Sequence, residues 1–391
     1  YQFTYKNSQN KPAVPLILEA AEPLGYDNPR ATVQAIYKAI MDDLNEVITL
    51  LEGYRAENKA KISLNVAYGL RARANWLMGE GKAAADDAQK AAIGFSPATI
   101  EQVSKPGFNN VKAANWIWGI IITPESDVVK SGILNWPSHL CSLVGNGYTT
   151  GTGTYRKANN LFWNEIPESD IRREWFAHKV IPVLKADGSQ LFDRDGNPVT
   201  TVTSKLVESL QFNGYLGYTL GWDQYTNVKF HAYDDILLNA SNASDWPLMR
   251  VEEMIFIQAE GLAMSGDLGG AKTILENFVT ANRDPEFASQ ATTPEEFIDE
   301  VWLQRRMELW GEGFSFFDLM RLEKGVTRVN VNAGKGEEDS SYAEAVRFNF
   351  PANDPHLLYP IPEVEVNVND GITPEDNNKP GDALKPIPKP K

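Results

Sequence analysis

Two helical hairpins, far apart along the chain, limit what this sequence can fold into more than any other feature. Ahead of the first, Val33, Ile36, Tyr37, Ile40, Leu44, Val47, Ile48 and Leu51 recur at spacings of three and four, the period that lines one face of a helix. Asp27-Asn28-Pro29 precedes them as a cap with proline at the first helical position. Ser63 starts a second helix through Leu64, Ala67, Tyr68, Leu70, Ala74 and Leu77, and Gly79-Glu80-Gly81 turns the chain. The third helix carries Ala83, Ala84, Ala88, Ala91 and Ala92, small residues that let a large-residue partner come close. A second hairpin follows Pro247: Met249, Val251, Met254, Ile255, Ala259, Leu262 and Ala263 stop at Gly266, and Leu268, Ala271, Ile274, Leu275 and Phe278 answer them. Thr293-Pro294-Glu295-Glu296 is a capping box for the next helix, which runs through Val301 and Met307 to the glycines at 311 and 313. A shorter helix spans 314–322. Hairpins of this kind pack as tetratricopeptide-like pairs, so a mainly α fold is expected.

The stretch 96–246 breaks the pattern. Trp116-Ile117-Trp118-Gly119-Ile120-Ile121-Ile122 reads as a buried strand, and Asp187-Gly188 and Asp195-Gly196 bracket Leu191-Phe192 as a small hairpin. Glycines at 145, 147, 151 and 153 mark open loops. This section is expected to be an irregular, loop-rich elaboration with minor β. The expected layout is one unit over 1–391, with helical parts at 27–95 and 247–330, the elaboration at 96–246 and an extended C-terminal segment at 331–391. Pro380, Pro386, Pro388 and Pro390 favour an extended, unpacked tail.

Composition excludes several classes. With 37 Lys+Arg against 52 Asp+Glu the net charge is −15, so the basic footprint that nucleic acid demands is missing. The same balance disfavours a polybasic dock on anionic lipid. A single cysteine, Cys141, forbids an internal disulfide framework and any zinc site built on two cysteines. No run of 18 apolar residues exists.

Catalytic constellations are not legible either. His139, His178, His231 and His356 make no metal-binding spacing, and no G-x-S-x-G elbow is present. Asp193, Asp195 and Asn197 hold the first three positions of a calcium loop, but Pro198 stands where glycine is needed and Ser204 where the bidentate glutamate belongs. No cofactor is expected, and no structural calcium site can be read. Glu308, Glu312 and Asp318, lying among Arg305, Arg306 and Arg321, are read as structural ion pairs, because such pairing favours the ionised carboxylate that a general acid must avoid.

What remains is aromatic. Trp136, Tyr148, Tyr155, Trp163, Trp175, Trp222 and Tyr225 all fall in the elaboration. Sugar rings stack on such faces through their C–H groups while nearby polar groups bond the hydroxyls. Trp136 precedes Pro137, Tyr148 and Tyr155 bracket the Gly/Thr loop, and Trp222 and Tyr225 flank Asp223. These six residues, Trp136, Tyr148, Tyr155, Trp222, Asp223 and Tyr225, form the expected exposed ligand platform. Trp163 and Trp175 sit in apolar contexts and are assigned to the core.

The C-terminal half carries a specific resemblance. Asp245-Trp246-Pro247-Leu248-Met249-Arg250-Val251-Glu252-Glu253-Met254 with Gln258-Ala259-Glu260, Arg305-Arg306-Met307-Glu308-Leu309 with Glu312-Gly313, and Asp318-Leu319-Met320-Arg321 resemble signature blocks of the SusD/RagB family. Leu357-Leu358-Tyr359-Pro360-Ile361-Pro362 with Glu363, Glu365 and Asn367 is similar to its closing motif. Val14-Pro15-Leu16, Asp42-Asp43-Leu44 and Ala67-Tyr68-Gly69-Leu70-Arg71-Ala72 match earlier family elements. Gln304 and Ser315 replace the family's usual Glu and Arg, so the local ion pairs must be rewired. The family's long segment before the Val-Pro-Leu element, with its lipid-anchored cysteine and first repeat helices, has no counterpart here.

The resemblance implies an outer-membrane, surface-exposed nutrient-binding lipoprotein of Bacteroidetes without catalysis. Its partners would be an oligosaccharide or polysaccharide and a SusC-like TonB-dependent transporter, with the membrane reached only through a lipid anchor outside this sequence. Alternatives are a family member tuned to peptides, or a helical-repeat adaptor whose concave face binds another protein. An enzyme ranks below these.

Overall fold

A computed structural model describes residues 4–18, 27–131, 135–145, 155–185, 187–208, 222–334, 340–379 and 381–389. The fold is mostly helical with small two-stranded sheets, as the periodicities require. Helix α1 spans Val33–Leu50, α2 Leu64–Met78 and α3 Gly81–Ala91. Later come α4 (Val251–Met264), α5 (Leu268–Asn282), α6 (Pro294–Glu308) and α7 (Ser315–Arg321). The cap of α1 is Thr32, whose side chain accepts from Ala35 N, and not the Asp-Asn-Pro triplet. Arg30–Thr32 instead forms strand β2, paired antiparallel with β1 (Pro12–Pro15), and the helix cannot begin until that ladder ends. Ser63 caps α2 as expected, and Gly79 closes it at φ +87°, a left-handed turn that glycine adopts without strain.

Helix α4 is the spine. Ten of its residues are buried, including Glu252, Glu253 and Glu260, because α2 and α3 pack on one side and α5 and α6 on the other. Gly261 of α4 and Gly81 of α3 meet backbone to backbone, the close approach that the small residues allow. Helix α1 is less covered than its periodicity suggests: Val33, Tyr37 and Ile48 are buried while Ile40 is exposed.

Strand β3 (Trp116–Ile120) pairs antiparallel with β8 (Trp246–Arg250), with Trp116 opposite Arg250 and Ile120 opposite Trp246. Pro247 therefore lies in a strand and α4 starts four residues later, at Val251. This ladder pins both ends of the elaboration to the frame. Between them lie β4 (Phe176–Ala177), β5 (Lys179–Pro182), β6 (Thr200–Thr203) and β7 (Thr226–Asn227), in two small antiparallel pairs, β4–β7 and β5–β6. The elaboration has its own core of Trp175, Phe176, Trp222, Tyr225 and Phe230.

Two C-terminal features differ from expectation. Asn369, two residues past the Asn367 of the expected motif, is buried, and its side-chain amide pairs with both backbone groups of Asn28 at 3.0 Å. The tail is docked rather than free, since Ile387 donates to Arg347 O at 2.7 Å and accepts from the buried Arg347 Nε at 2.9 Å. At α6 the capping box forms as written, with Glu296 N donating to Thr293 Oγ1 at 3.2 Å and Thr293 N to the Glu296 carboxylate at 3.3 Å. Thr293→Ala is expected to cost about 1 kcal/mol, read as a lower urea midpoint at unchanged slope. An unchanged midpoint would place the stabilising cap elsewhere.

Candidate functional site: the aromatic face of the elaboration and the cavity beside α7

Short ladders assemble the aromatic face. Ala158 N donates to Tyr225 O at 3.0 Å and Asn227 N to Arg156 O at 2.9 Å, laying 155–158 beside β7, while β4 pairs on the other edge. Lys157 Nζ and Asp223 meet at 3.0 Å on the exposed rim. Below them Trp163 stacks on Tyr225 with centroids 4.8 Å apart and planes tilted by 35°, and the Arg173 guanidinium sits 3.6 Å from the Trp163 ring centre. Tyr225 holds φ +67°, a left-handed conformation rare for an aromatic residue. Hydrogen bonds to its N–H and C=O from both neighbouring strands keep it there. Such strain persists only where the surroundings over-determine it, and it clusters at functional sites.

The expected platform is only partly exposed. Tyr155 is half-buried, with burial pushing its hydroxyl pKa up, and Asp223 is exposed. Trp222 and Tyr225 are 4% and 8% exposed, so both are core rings rather than open stacking faces. A section with so little regular structure uses its aromatics as filler, and these two belong to its central cluster. Trp136 is half-buried and meets Phe230 edge-on at 4.7 Å. It stands at the start of a short helix, Trp136–Leu140, rather than in extended backbone, because Asn135 caps that turn by accepting from Ser138 N. Tyr148 lies outside the described residues. Trp175 is wholly buried and donates to Val103 O, as the core assignment requires. The structure thus gathers Tyr155, Asp223 and Tyr225 on one ladder, with Trp163 beneath.

The acidic turn at 193–197 has a local use. Asp193 accepts from Asp195 N and Asn197 N at 2.9 and 2.8 Å, so its carboxylate closes its own turn. Among the described residues no three metal-ligating side chains come together. Burial pushes the Cys141 thiol up to about 12, far from a reactive thiolate.

Ion pairs anchor the elaboration to the frame. Glu308 reaches Arg283 at 2.6 Å, Arg250 at 3.2 Å and Arg172 at 3.7 Å, all four side chains being buried. Glu312 holds Lys229 at 2.6 Å and Arg250 at 2.7 Å. Burial pushes the Lys229 ammonium down to about 8 against the pull of Glu312. Gln304 accepts from Arg172, an amide serving where a carboxylate was expected. Asp318 pairs with Arg305 and Arg321, each at 2.9 Å, and these outweigh the burial that would raise its pKa. The acids expected to be structural are paired, although Arg306 turns away to Glu165.

A cavity of about 690 Å³ opens between α2, α6, α7 and the C-terminal segment. Trp76, Leu77, Leu248, Phe314, Phe316 and Met320 form much of its apolar wall. At its mouth Phe317 and Tyr359 are 63% and 67% exposed, both packed edge-on against Phe316. The sequence reading missed this aromatic surface. The available signal was Phe314-Ser315-Phe316-Phe317, three rings within four residues at the start of one short helix, which cannot all face inward.

A frame of helical hairpins, pinned to a loop-rich elaboration by one antiparallel ladder, is the SusD-like architecture. Residues 217–381 match the model of the SusD family, and together with the fold this shows the resemblance carried by the sequence blocks. A SusD-like carbohydrate binding protein from Bacteroides vulgatus superposes with TM-score 0.72 at 22% identity, over 98% of this chain and 75% of that one. A SusD superfamily protein from Bacteroides thetaiotaomicron gives 0.69 at 18% identity, over 96% and 73%. Surface glycan-binding protein A from Bacteroides uniformis gives 0.59 at 16% identity, over 95% and 74%. No curated protein sequence matches this chain.

Proposed function

We propose that this protein is a cell-surface glycan-binding protein that captures oligosaccharide for uptake by a SusC-like TonB-dependent transporter. In this reading it works at the outer membrane as a lipoprotein and performs no chemistry on its ligand. The observation that carries the reading is the SusD-family match at 217–381, on a fold shared with proteins described as carbohydrate binding and surface glycan-binding. Among the described residues no helix is long and apolar enough to cross a membrane, which accords with attachment by a lipid. The face at Tyr155 supports it too: a partly open ring beside the Lys157–Asp223 pair offers one stacking surface and both signs of hydrogen-bonding group. Trp222 and Tyr225 belong to the core on which Tyr155 packs, and Trp136 and Tyr148 stay candidate stacking rings.

A glycan array on the purified chain identifies the ligand class, and alanine substitutions then locate the site. Tyr155→Ala, Trp136→Ala and Tyr148→Ala are each expected to weaken the best array ligand by about 1–2 kcal/mol, roughly five- to thirty-fold, where the ring stacks on sugar. Circular dichroism should show the fold intact. Full affinity in the triple variant would move the site off this face. No reducing ends should appear on incubation with that ligand, whereas turnover at about 1 per second or faster would make the protein an enzyme.

A further inference from the structure

A strained loop of the elaboration closes over a buried histidine. His231 is 3% exposed, its backbone N–H donates to Gly107 O at 2.7 Å, and its Nδ1 lies 3.3 Å from Ala232 O. That carbonyl is a hub, since Asn109 Nδ2 at 2.8 Å and Asp235 N at 3.2 Å donate to it as well. Asn109 Nδ2 also meets the Asp235 carboxylate at 2.8 Å. Asp234, Asp235 and Leu238 hold φ of +56°, +55° and +57°, a left-handed region that costs free energy in residues with a Cβ. Ile236, between them, is 57% exposed, so burial of the tip does not keep this shape. The loop is held at its ends. At one end stand His231 and the Ala232 hub. At the other, Leu238 N donates to Leu143 O and Gly145 N to Asn239 O, both at 2.9 Å. Leu238 O approaches Gly145 so closely that a Cβ would not fit there.

We propose that His231 is an acid-sensitive latch: neutral and buried, it keeps 232–239 closed on Leu143–Gly145, and a proton taken from solvent opens the loop while the helical frame stays folded. The neutral ring carries its proton on Nδ1, facing Ala232 O, so the added proton goes to Nε2. Among the described residues no acceptor meets that nitrogen, and a buried imidazolium needs both N–H groups bonded. Burial accordingly holds the imidazole below its ordinary pKa, against the weaker pull of Asp235 and the Ala232 carbonyl. The charged groups nearby are already engaged. Asp235 is exposed and taken by Asn109, and the buried Asp245 accepts from Val111 N and Ile122 N. Lys229 spends its ammonium on Glu308 O, Trp310 O and Glu312. By linkage, the closed loop binds fewer protons than an open one whose His231 is in water. Closure is therefore fully favoured above about pH 6.5 and is lost as pH falls from there toward the lowered value. Leu143–Gly145 leads along the chain toward Tyr155, so opening withdraws a support on that side of the elaboration. The latch goes beyond the glycan reading and needs no ligand.

The test uses the full chain with isotope-labelled histidine, together with amide hydrogen exchange read by mass spectrometry. The His231 ring signal, assigned among the four histidines by its loss in His231→Phe, should titrate below the ordinary value of about 6.5. Protection of the amides at 233–239 and 143–145, corrected for intrinsic exchange, should fall by about three- to tenfold between about pH 7.5 and 5.5, the upper figure being the limit for one proton. Helices α4 and α6 should keep theirs. In His231→Phe, and separately in His231→Gln, which cannot titrate yet can still donate to Ala232 O, loop protection should be independent of pH over that range. A His231 signal titrating at or above about 6.5 overturns the proposal, as does loop protection indifferent to pH in the unaltered chain. A fall that persists in both variants also overturns it and assigns the effect to carboxylates. Loss of protection in α4 and α6 in step with the loop would mean global acid unfolding rather than a latch.

Discussion

Glu308→Ala is expected to destabilise the protein by about 3–5 kcal/mol, the cost of leaving buried cations without their shared carboxylate. Four buried cations, Arg172, Lys229, Arg250 and Arg283, face four buried carboxylates, Asp170, Glu252, Glu308 and Glu312. Glu308 touches three of the four cations, so its removal unbalances the cluster at its centre. Glu308→Gln keeps the shape and should cost less. Urea unfolding at pH 7 measures both. A loss below about 1 kcal/mol for Glu308→Ala would mean that neighbouring acids or water replace the carboxylate. The same cluster sets the acid response. Burial pushes the Glu308 carboxyl up, but Arg283, Arg250 and Arg172 more than reverse this and hold it well below the usual carboxylate range. Glu312 is lowered in the same sense by Arg250 and Lys229, again against burial. A carboxylate lowered in the folded state contributes stability above its unfolded pKa and loses it as pH falls toward the folded value. The urea midpoint should therefore drop steadily below about pH 4.5. In Glu308→Gln that acid-side slope should be shallower, since one of the responsible groups no longer titrates.

Gly261→Ala should cost about 2–3 kcal/mol, a large penalty for one added methyl. A Cβ there would lie 2.5 Å from Gly81 O, and a Cβ at Gly81 would lie 2.6 Å from Gly261 O. In each case the obstacle is helix backbone, which cannot rotate away like a side chain. Helices α3 and α4 must separate, and α4 is the spine between both hairpins, so the disturbance spreads to Met254 and Ala88 in the shared core. Because both substitutions strain one contact, Gly81→Ala with Gly261→Ala should cost less than the sum of the two. Thermal unfolding of the three variants checks this. Simple additivity would show that the helices do not meet there.

Local physics made the helices readable from the sequence alone. Periodicity, Ser63 as a cap and the Thr293 capping box each act within a turn or two, so the frame was legible without knowing what it packs against. The signature blocks around Arg250, Glu308 and Asp318 were equally legible, because they encode charges that a folded core must pair. The missed boundaries were those that depend on a distant partner. Pro247–Arg250 looks helical until Trp116–Ile120 pairs with it, and Arg30–Thr32 leaves its helix for β1. Asn369 shows its role only when Asn28 arrives, 341 residues away in sequence.

Exposure was the quantity the sequence could not determine. Trp222 and Tyr225 look like a platform beside Asp223, yet the ladder with 155–158 and the stack of Tyr225 on Trp163 leave both rings buried. Phe317 and Tyr359 stand open, although only the crowding of rings at 314–317 pointed to one of them. Which arginine meets which acid also follows only from the assembled walls. The physical reason is the same in each case. Helix formation is decided by neighbours within about four residues. Burial and hydrogen-bond satisfaction depend on every segment that arrives at the same place.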